Sequence, residues 1–340
     1  MDLSTCLPPV SEFRLRPWNK SYGGDFYGAL EIASDYCRLH KVPPVFPGVW
    51  QHGVMPPWQQ FQPEILVFDA PRSLRCFVAR KDEVHFLAGA GYDKVRAIGL
   101  PIIYTKPSGL QRIPGSLLVM PTHSLPADER APSFDNYVGE IASIKGKFSL
   151  VAACVSATCI AKGFWAPQFE AKGIQVIRGA DISDANALRR MRALFESFEF
   201  VTTNSYGSHL YYAVYFGARV SIWGEPAMLY RENVLKDDPW AAFPGAVDRL
   251  FSEETEQKAE EYLGPLRVDP WIGVQDVNRG RWMLGHDHKL SPFELRACFG
   301  WTPTRILVGT IEQAIRRSQL WRAGAVMTRR LLALARGISS

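Results

Sequence analysis

The stretch TNSYGSHLYYAVYFG, Thr203 to Gly217, passes abruptly from small polar residues to an aromatic run. Asn204, Ser205, Gly207, Ser208 and His209 lie between the β-branched segment FVTT and a stripe formed by Leu210, Ala213, Val214 and Gly217, spaced as on one face of a helix. The polar knot is therefore expected at the carboxyl end of a strand and the amino end of a helix. Unpaired backbone N–H groups and the helix dipole favour an anion there, and small hydroxyls either cap the helix or donate to a phosphate. One serine by itself need only cap the helix; the five residues together suggest a bound phosphate or diphosphate.

Three other segments end in similar fashion. SLLVMPTHS closes in Thr122, His123 and Ser124, VFPGVWQHGV in Gln51, His52 and Gly53, and IQVIRGADISD offers Arg178 and Asp181. A histidine at a strand end in a cleft has a pKa near working pH and could act as a general base or bind phosphate. Arg178 could clamp a phosphate or pair with a nearby acid. Each residue taken singly is an ordinary polar loop residue, and the case for a site rests on their convergence.

The elements that would bring them together follow an α/β rhythm. In the second half, strands at SLLVMPT, FSLVAACVS, IQVIRG, FVTTN and RVSIWG alternate with helices at NYVGEIASIKG, TCIAKGFWAPQFEAKG, SDANALRRMRALFESF and SHLYYAVYFG. This is the pattern of a doubly wound parallel sheet, whose ligands bind beyond the carboxyl ends of the strands. In the first half, GALEIASDYCRLHKV reads as a helix and VFPGVW, EILVF and RCFVAR as short strands. DEVHFLAGAGYDKVRAIG reads as one or two helices closed by Gly99, and LPIIY as a further strand. TKPSGLQRIPGS, rich in Gly, Pro and Ser, is the expected linker.

Composition narrows the classes. A chain of 340 residues exceeds what one core usually serves, and 47% apolar with 21% charged residues describes a folded protein. The formal charge of +5, from 39 Lys+Arg against 34 Asp+Glu, is too small to imply nucleic acid, and no basic stripe interleaves with aromatics outside the tail. The start MDLSTCLPPVSEFRLRPW lacks the apolar core of a signal peptide, so a cytoplasmic location is expected. The six cysteines form no CxxC pair and read as reduced core thiols. The glycines of GAG at Gly89 to Gly91 lack the third member of a dinucleotide fingerprint, and His286 and His288 in GHDH read as a polar loop.

The strand-PT at Leu117 to Thr122, the strand-TNSYGS-helix unit and RVSIWGEP together resemble the carboxyl-terminal half of bacterial GT-B glycosyltransferases that build capsule, lipopolysaccharide and other surface glycans. WQHG is similar to the Trp-His-Gly motif of the CDP-glycerol glycerophosphotransferases, and GHDHKLSPFELRACFGW to a tail segment of surface-polysaccharide proteins. The resemblance implies two Rossmann-like domains facing across a cleft. Residues 1–112 would form the acceptor side, 113–300 the nucleotide-sugar side, and 301–340 a basic helical tail. It places His52 as catalytic base, Thr122 and His123 at the nucleotide-side strand end, and Ser205 and Ser208 on the phosphate; Ser124, Arg178, Asn204, Gly207 and His209 join them as binding candidates by their positions at strand ends. The inserted glutamine of Trp-Gln-His-Gly leaves the base open, with Asp25 in YGGDFYG and Asp69 in EILVFDA as carboxylate alternatives.

The implied reaction is substitution at an anomeric carbon, from a nucleotide-sugar donor to a glycan or lipid-linked acceptor. No cofactor or metal is required, because a helix terminus, hydroxyls and a basic group stabilise the leaving phosphate. No DxD triplet accompanies these residues. A polyol-phosphate transferase, or a non-catalytic nucleotide- or glycan-binding partner in polysaccharide assembly, would present the same residues. From Arg316 to Ser340 the chain carries six arginines and no acidic residue. A helix of this kind can lie on an anionic inner membrane face, each basic residue contributing about 1 kcal/mol, or pack on the amino-terminal domain.

Overall fold

Strands buried on both faces read as nearly continuous apolar runs, and two sets of such runs build two parallel sheets in the computed structural model. The structure describes residues 7–15, 26–43, 46, 48–123, 134–227, 229–236, 240–312 and 314–315. The arginine-rich tail from 316 onward lies outside them.

The first sheet has three strands, β1 (Gly48–Trp50), β2 (Arg75–Val78) and β3 (Val95–Ala97), in that spatial order. The second has five: β4 (Ile113–Val119), β5 (Leu150–Val155), β6 (Gln175–Arg178), β7 (Phe198–Thr203) and β8 (Arg219–Ile222). Their spatial order is β6-β5-β4-β7-β8, all parallel. The chain thus winds outward from β4 to one edge, returns, and winds to the other. That order is Rossmann-like and creates a switch point between β4 and β7. A register shift between Ile113 and Leu117 bends the start of β4, where Gly115 takes a left-handed φ of 68° and its amide donates to Glu199 Oε2 at 2.6 Å.

Helices cover the faces for reasons visible in their spacing. In Ala187–Ser197 the buried Leu188, Met191, Leu194 and Phe195 recur at helical intervals. Ser156, Ser252, Asp276 and Ser291 each cap a helix by accepting from a backbone N–H of its first turn. None of the helices in the described residues is long and apolar enough to cross a membrane.

Alternation along the strands sorts the core. Leu118 of β4 and Ala152 and Cys154 of β5 join one large apolar cluster with Trp50 and Phe77 of the first sheet. Leu117, Val119, Val151, Ala153 and Val155 point to the opposite face, onto Tyr137, Trp165 and Phe169. Val49, Cys76 and Val78 face a third cluster with Leu66 and Leu87. Cys37, Cys76, Cys154, Cys159 and Cys298 are buried and take part in no disulfide.

The second-half elements lie where the periodicity puts them; the first half departs in three places. EILVF, expected as a strand, is the helical turn Pro63–Leu66, because Pro63 stands at its first position, where its missing N–H costs nothing. LPIIY, also expected as a strand, is a 3-10 turn, Pro101–Tyr104, again led by proline. The helix expected through DEVHFLAGAGYDKVRAIG stops at Gly89, and Val95–Ala97 becomes strand β3. Gly91 at φ 87° makes the intervening turn.

The segment GHDHKLSPFELRACFGW carries the chain back onto the first sheet. Leu284, Leu290, Leu295, Phe299 and Trp301 share the cluster of Trp50 and Phe77, and Phe299 meets Trp50 edge to face at 5.2 Å. Gly285 must be a glycine: its φ is 66°, and a Cβ there would stand 1.9 Å from the Ala79 carbonyl oxygen.

Candidate functional site

Beyond the carboxyl end of β1 the chain must turn while keeping buried backbone groups satisfied, and Gln51 does much of this. Only 3% exposed, its Oε1 accepts from the Ala79 amide at 2.8 Å, and its Nε2 donates to the Gly53 carbonyl and to Glu83 Oε1, both at 2.9 Å. Glu83 Oε2 in turn accepts from the Arg80 amide at 2.8 Å, and the Arg80 guanidinium lies 3.2 Å from Glu83 Oε1. The glutamine inserted into the Trp-His-Gly pattern is thus a buried scaffold residue that holds the loop bearing His52.

That loop lies directly on the polar knot. The Val54 amide donates to Ser208 Oγ at 2.8 Å, and the Tyr212 hydroxyl donates to the His52 carbonyl at 2.9 Å. Gly53 fits because a Cβ would approach Ser208 Oγ to 3.0 Å. The His52 ring is enclosed by Phe26, Tyr27 and Phe68, with centroids at 5.1, 5.6 and 4.7 Å. Its Nδ1 is buried without a hydrogen-bond partner, and burial pushes its pKa down to about 4.

Ser208 opens the helix Ser208–Tyr215, with Gly207 at its cap position. Gly207 is extended, so its requirement is space: a Cβ would lie 2.6 Å from Nδ1 of His209, whose ring folds back over it. His209 Nε2 is buried and unpartnered, and its pKa is pushed down to about 3 by burial and, less strongly, by His123.

The two serines differ. Ser208 already accepts from Val54, whereas the Ser205 hydroxyl makes no hydrogen bond within the described residues and only its amide is engaged, with Thr203 Oγ1 at 3.3 Å. Asn204 is 5% exposed and structural: Oδ1 accepts from the Thr122 amide at 3.0 Å and Nδ2 donates to the Glu225 carbonyl at 3.2 Å. It ties together the segments that follow β4, β7 and β8 at the switch point. The Thr122 carbonyl accepts from Trp165 Nε1 at 2.9 Å.

The remaining candidates lie elsewhere. Arg178 ends β6 at the sheet edge, its guanidinium 3.6 Å over the ring of Phe13, while Asp181 accepts from Ser183. Asp69 is an exposed residue in a left-handed turn, with φ 52° and its amide bonded to the Glu64 carbonyl, and does not end a strand. Its neighbour Phe68 supplies the ring against His52. Asp25 and Ser124 lie outside the described residues.

Several residues that the sequence reading passed over complete the arrangement. Among the described residues, His52 Nδ1, His209 Nε2 and Glu225 Oε2 are buried polar atoms without a hydrogen bond, and the Tyr206 and Tyr211 hydroxyls have no partner but each other. All five sit on segments that follow β1, β7 and β8, and such orphaned atoms call for a partner that the fold does not supply. Tyr206 is packed between Trp58 and Tyr211, at 5.7 and 6.0 Å, with the Arg80 charge nearby, and burial holds its phenol well above the usual range. The cue in the sequence was the chain order alone: Tyr206 interrupts the polar knot, and Glu225 directly follows β8 in RVSIWGEP. The arrangement offers two neutral imidazoles, an open serine hydroxyl and a carboxylate oxygen, which together can accept or donate to hydroxyl and phosphoryl groups.

Two cavities lie away from this site, one of about 370 Å³ lined by Asp35, Lys106 and Arg189 among others, and one of about 570 Å³ around Arg192 and Lys289. The strand ends are the candidate site because the unsatisfied polar atoms lie on the segments that follow β1, β7 and β8.

Neutral burial of both histidines makes stability pH-dependent. Unfolded imidazoles protonate below about 6.5, while His52 and His209 stay neutral in the fold down to about 4 and about 3. Between those limits the unfolded chain binds more protons, so this stability is complete above pH 6.5 and declines as pH falls. At about 1.4 kcal/mol per pKa unit, and discounting for both rings being partly exposed, the loss between pH 7 and pH 4.5 is on the order of 2–4 kcal/mol. Urea midpoints at the two pH values measure it; equal midpoints, or an unchanged difference in His209→Asn, would show that the imidazoles are not held neutral.

No protein-family model matches the chain, and no curated protein matches it.

Proposed function

We propose that this chain is a metal-independent glycosyltransferase of the GT-B kind. It would move a sugar from a nucleotide-sugar donor to a surface glycan or lipid-linked acceptor, using two Rossmann-like domains that face across a cleft. The observation that carries the reading is the meeting of His52, from the end of β1, with the 204–209 segment at the switch point of the five-stranded sheet, amid polar atoms that lack partners. In this reading a neutral His52 accepts the proton of the acceptor hydroxyl as the oxygen attacks the anomeric carbon. The bond to the leaving nucleotide breaks, and its phosphate charge falls on the Ser205 hydroxyl and the amides of the helix Ser208–Tyr215. A location on the cytoplasmic face of a membrane, through the basic tail, belongs to the same proposal.

A second reading has its own support. Asn204 and Ser208 are engaged in the fold's own hydrogen bonds, which suits a nucleotide- or glycan-binding partner without catalysis. A polyol-phosphate transferase would use the same histidine.

Thermal shift with UDP, GDP, CMP and CDP separates these. A nucleotide at 100 times its dissociation constant adds about 2.7 kcal/mol of stability. The expected result is a shift with one nucleotide that is lost in Ser205→Ala; Ser208→Ala is unsuitable, since it also strips the Val54 amide of its acceptor. Binding without sugar or polyol transfer would favour the binding-partner reading, and no shift with any nucleotide would sink the nucleotide-sugar proposal.

A further inference from the structure

The cavity of about 570 Å³ lies at the other end of the five-stranded sheet. Phe216 and Gly217 on its wall immediately precede β8, and Arg112, just before β4, donates to the carbonyls of Phe198 and Phe216 at 2.9 and 2.8 Å. It is therefore at the amino ends of the strands, away from His52.

Three cations line it, Arg192, Arg281 and Lys289, against one carboxylate, Glu196. Glu196 is already paired: Arg192 Nε donates to it at 2.6 Å, and the Ser108 amide donates at 2.8 Å. Among the described residues, the one carboxylate that Arg281 meets is Asp287, at 3.5 Å and 78% exposed, and so well screened. Lys289 has no acidic partner among the described residues. Its Nζ donates to the Ile103 carbonyl at 2.8 Å and lies 5.2 and 5.5 Å from the ring centres of Tyr36 and Tyr104, which leaves ammonium hydrogens unused.

Burial and then Arg192 lower the pKa of Lys289, while burial, Arg281 and Lys289 lower that of His286, whose Nδ1 is bonded to the Tyr215 hydroxyl at 2.7 Å. Three cations against one internal carboxylate and one solvent-exposed one leave a net positive lining, which an anion would relieve, and the volume suits a small molecule.

We infer that this cavity binds a small phosphorylated molecule, its phosphoryl group between Lys289 and Arg281 and its remainder along the apolar wall of Ile103, Pro107 and Val277. The inference is independent of the glycosyltransferase reading.

Calorimetric titration of the full chain with inorganic pyrophosphate tests it, at fixed ionic strength and in a Ser205→Ala background so that the strand-end site does not contribute. Pyrophosphate is expected to bind, and Arg281→Gln or Lys289→Gln to weaken that binding about tenfold or more, the scale of one lost charge-assisted contact. Lys289→Gln also removes the bond to Ile103, so Arg281→Gln, on a side chain 42% exposed, keeps the test clear of misfolding. Absence of pyrophosphate binding, or equal affinity in Arg281→Gln and its parent, would overturn the inference.

Discussion

In the proposed glycosyl transfer, His52→Gln is expected to slow the reaction by about a hundredfold to ten-thousandfold, the usual contribution of a positioned general base, without unfolding the protein. The bond that fixes the loop runs from the Tyr212 hydroxyl to the His52 backbone carbonyl, and Gln51, Val54 and Ser208 hold its flanks, so none of these contacts needs the imidazole. What the variant loses is the ring among Phe26, Tyr27 and Phe68, a packing loss that glutamine partly fills. Release of nucleotide from the donor identified by thermal shift measures the rate, and the urea midpoint measures the fold. Asp69→Asn is the matched control: the carboxylate is exposed and should change the rate little. A large loss in Asp69→Asn with full activity in His52→Gln would move the base to the carboxylate. Full activity in both would remove both from the mechanism.

Glu83→Ala is expected to destabilise the protein by about 3–5 kcal/mol, because it leaves the buried Arg80 charge without its one fully buried carboxylate partner. Glu83 is wholly buried and Arg80 is 2% exposed. Burial raises the Glu83 carboxyl, and the Arg80 charge beside it opposes part of that rise. The substitution would also strip Gln51 Nε2 of an acceptor and the Arg80 amide of its own. Asp82, at 2.9 Å from Arg80 Nε but on the solvent side at 40% exposure, remains and moderates the loss. Glu83→Gln keeps the shape and should recover part of it. Urea unfolding of the three proteins at pH 7 gives the comparison, and a loss under about 1 kcal/mol in Glu83→Ala would mean the network is not what holds the loop. Because Gln51 precedes His52, the alanine variant should weaken activity as well.

The sheet of five strands was legible because its signal is local. FSLVAACVS and FVTTN are apolar runs flanked by turn residues, and the helices between them repeat at 3.6 residues, so element type follows from neighbours a few positions away. The first half was less so. EILVF and LPIIY are apolar enough for strands, yet in each a proline sets the first turn of a helix instead. VRA became a strand only because β2 lay ready to pair with it.

The candidate site divides along the same line. The sequence by itself determined that Asn204, Ser205, Gly207, Ser208 and His209 would stand between a strand and a helix, since the change from a β-branched to a helical pattern falls there. It also marked His52 as the end of a strand. Tertiary structure decided what each residue does. Asn204 ties three strand ends together, Ser208 holds Val54, and Gly207 makes room for His209, while Ser205 is left open. Those roles depend on partners far along the chain, 154 positions away for Val54 and Ser208. A hydrogen bond is satisfied in space, and the pattern of a single segment does not record which distant group will arrive to satisfy it.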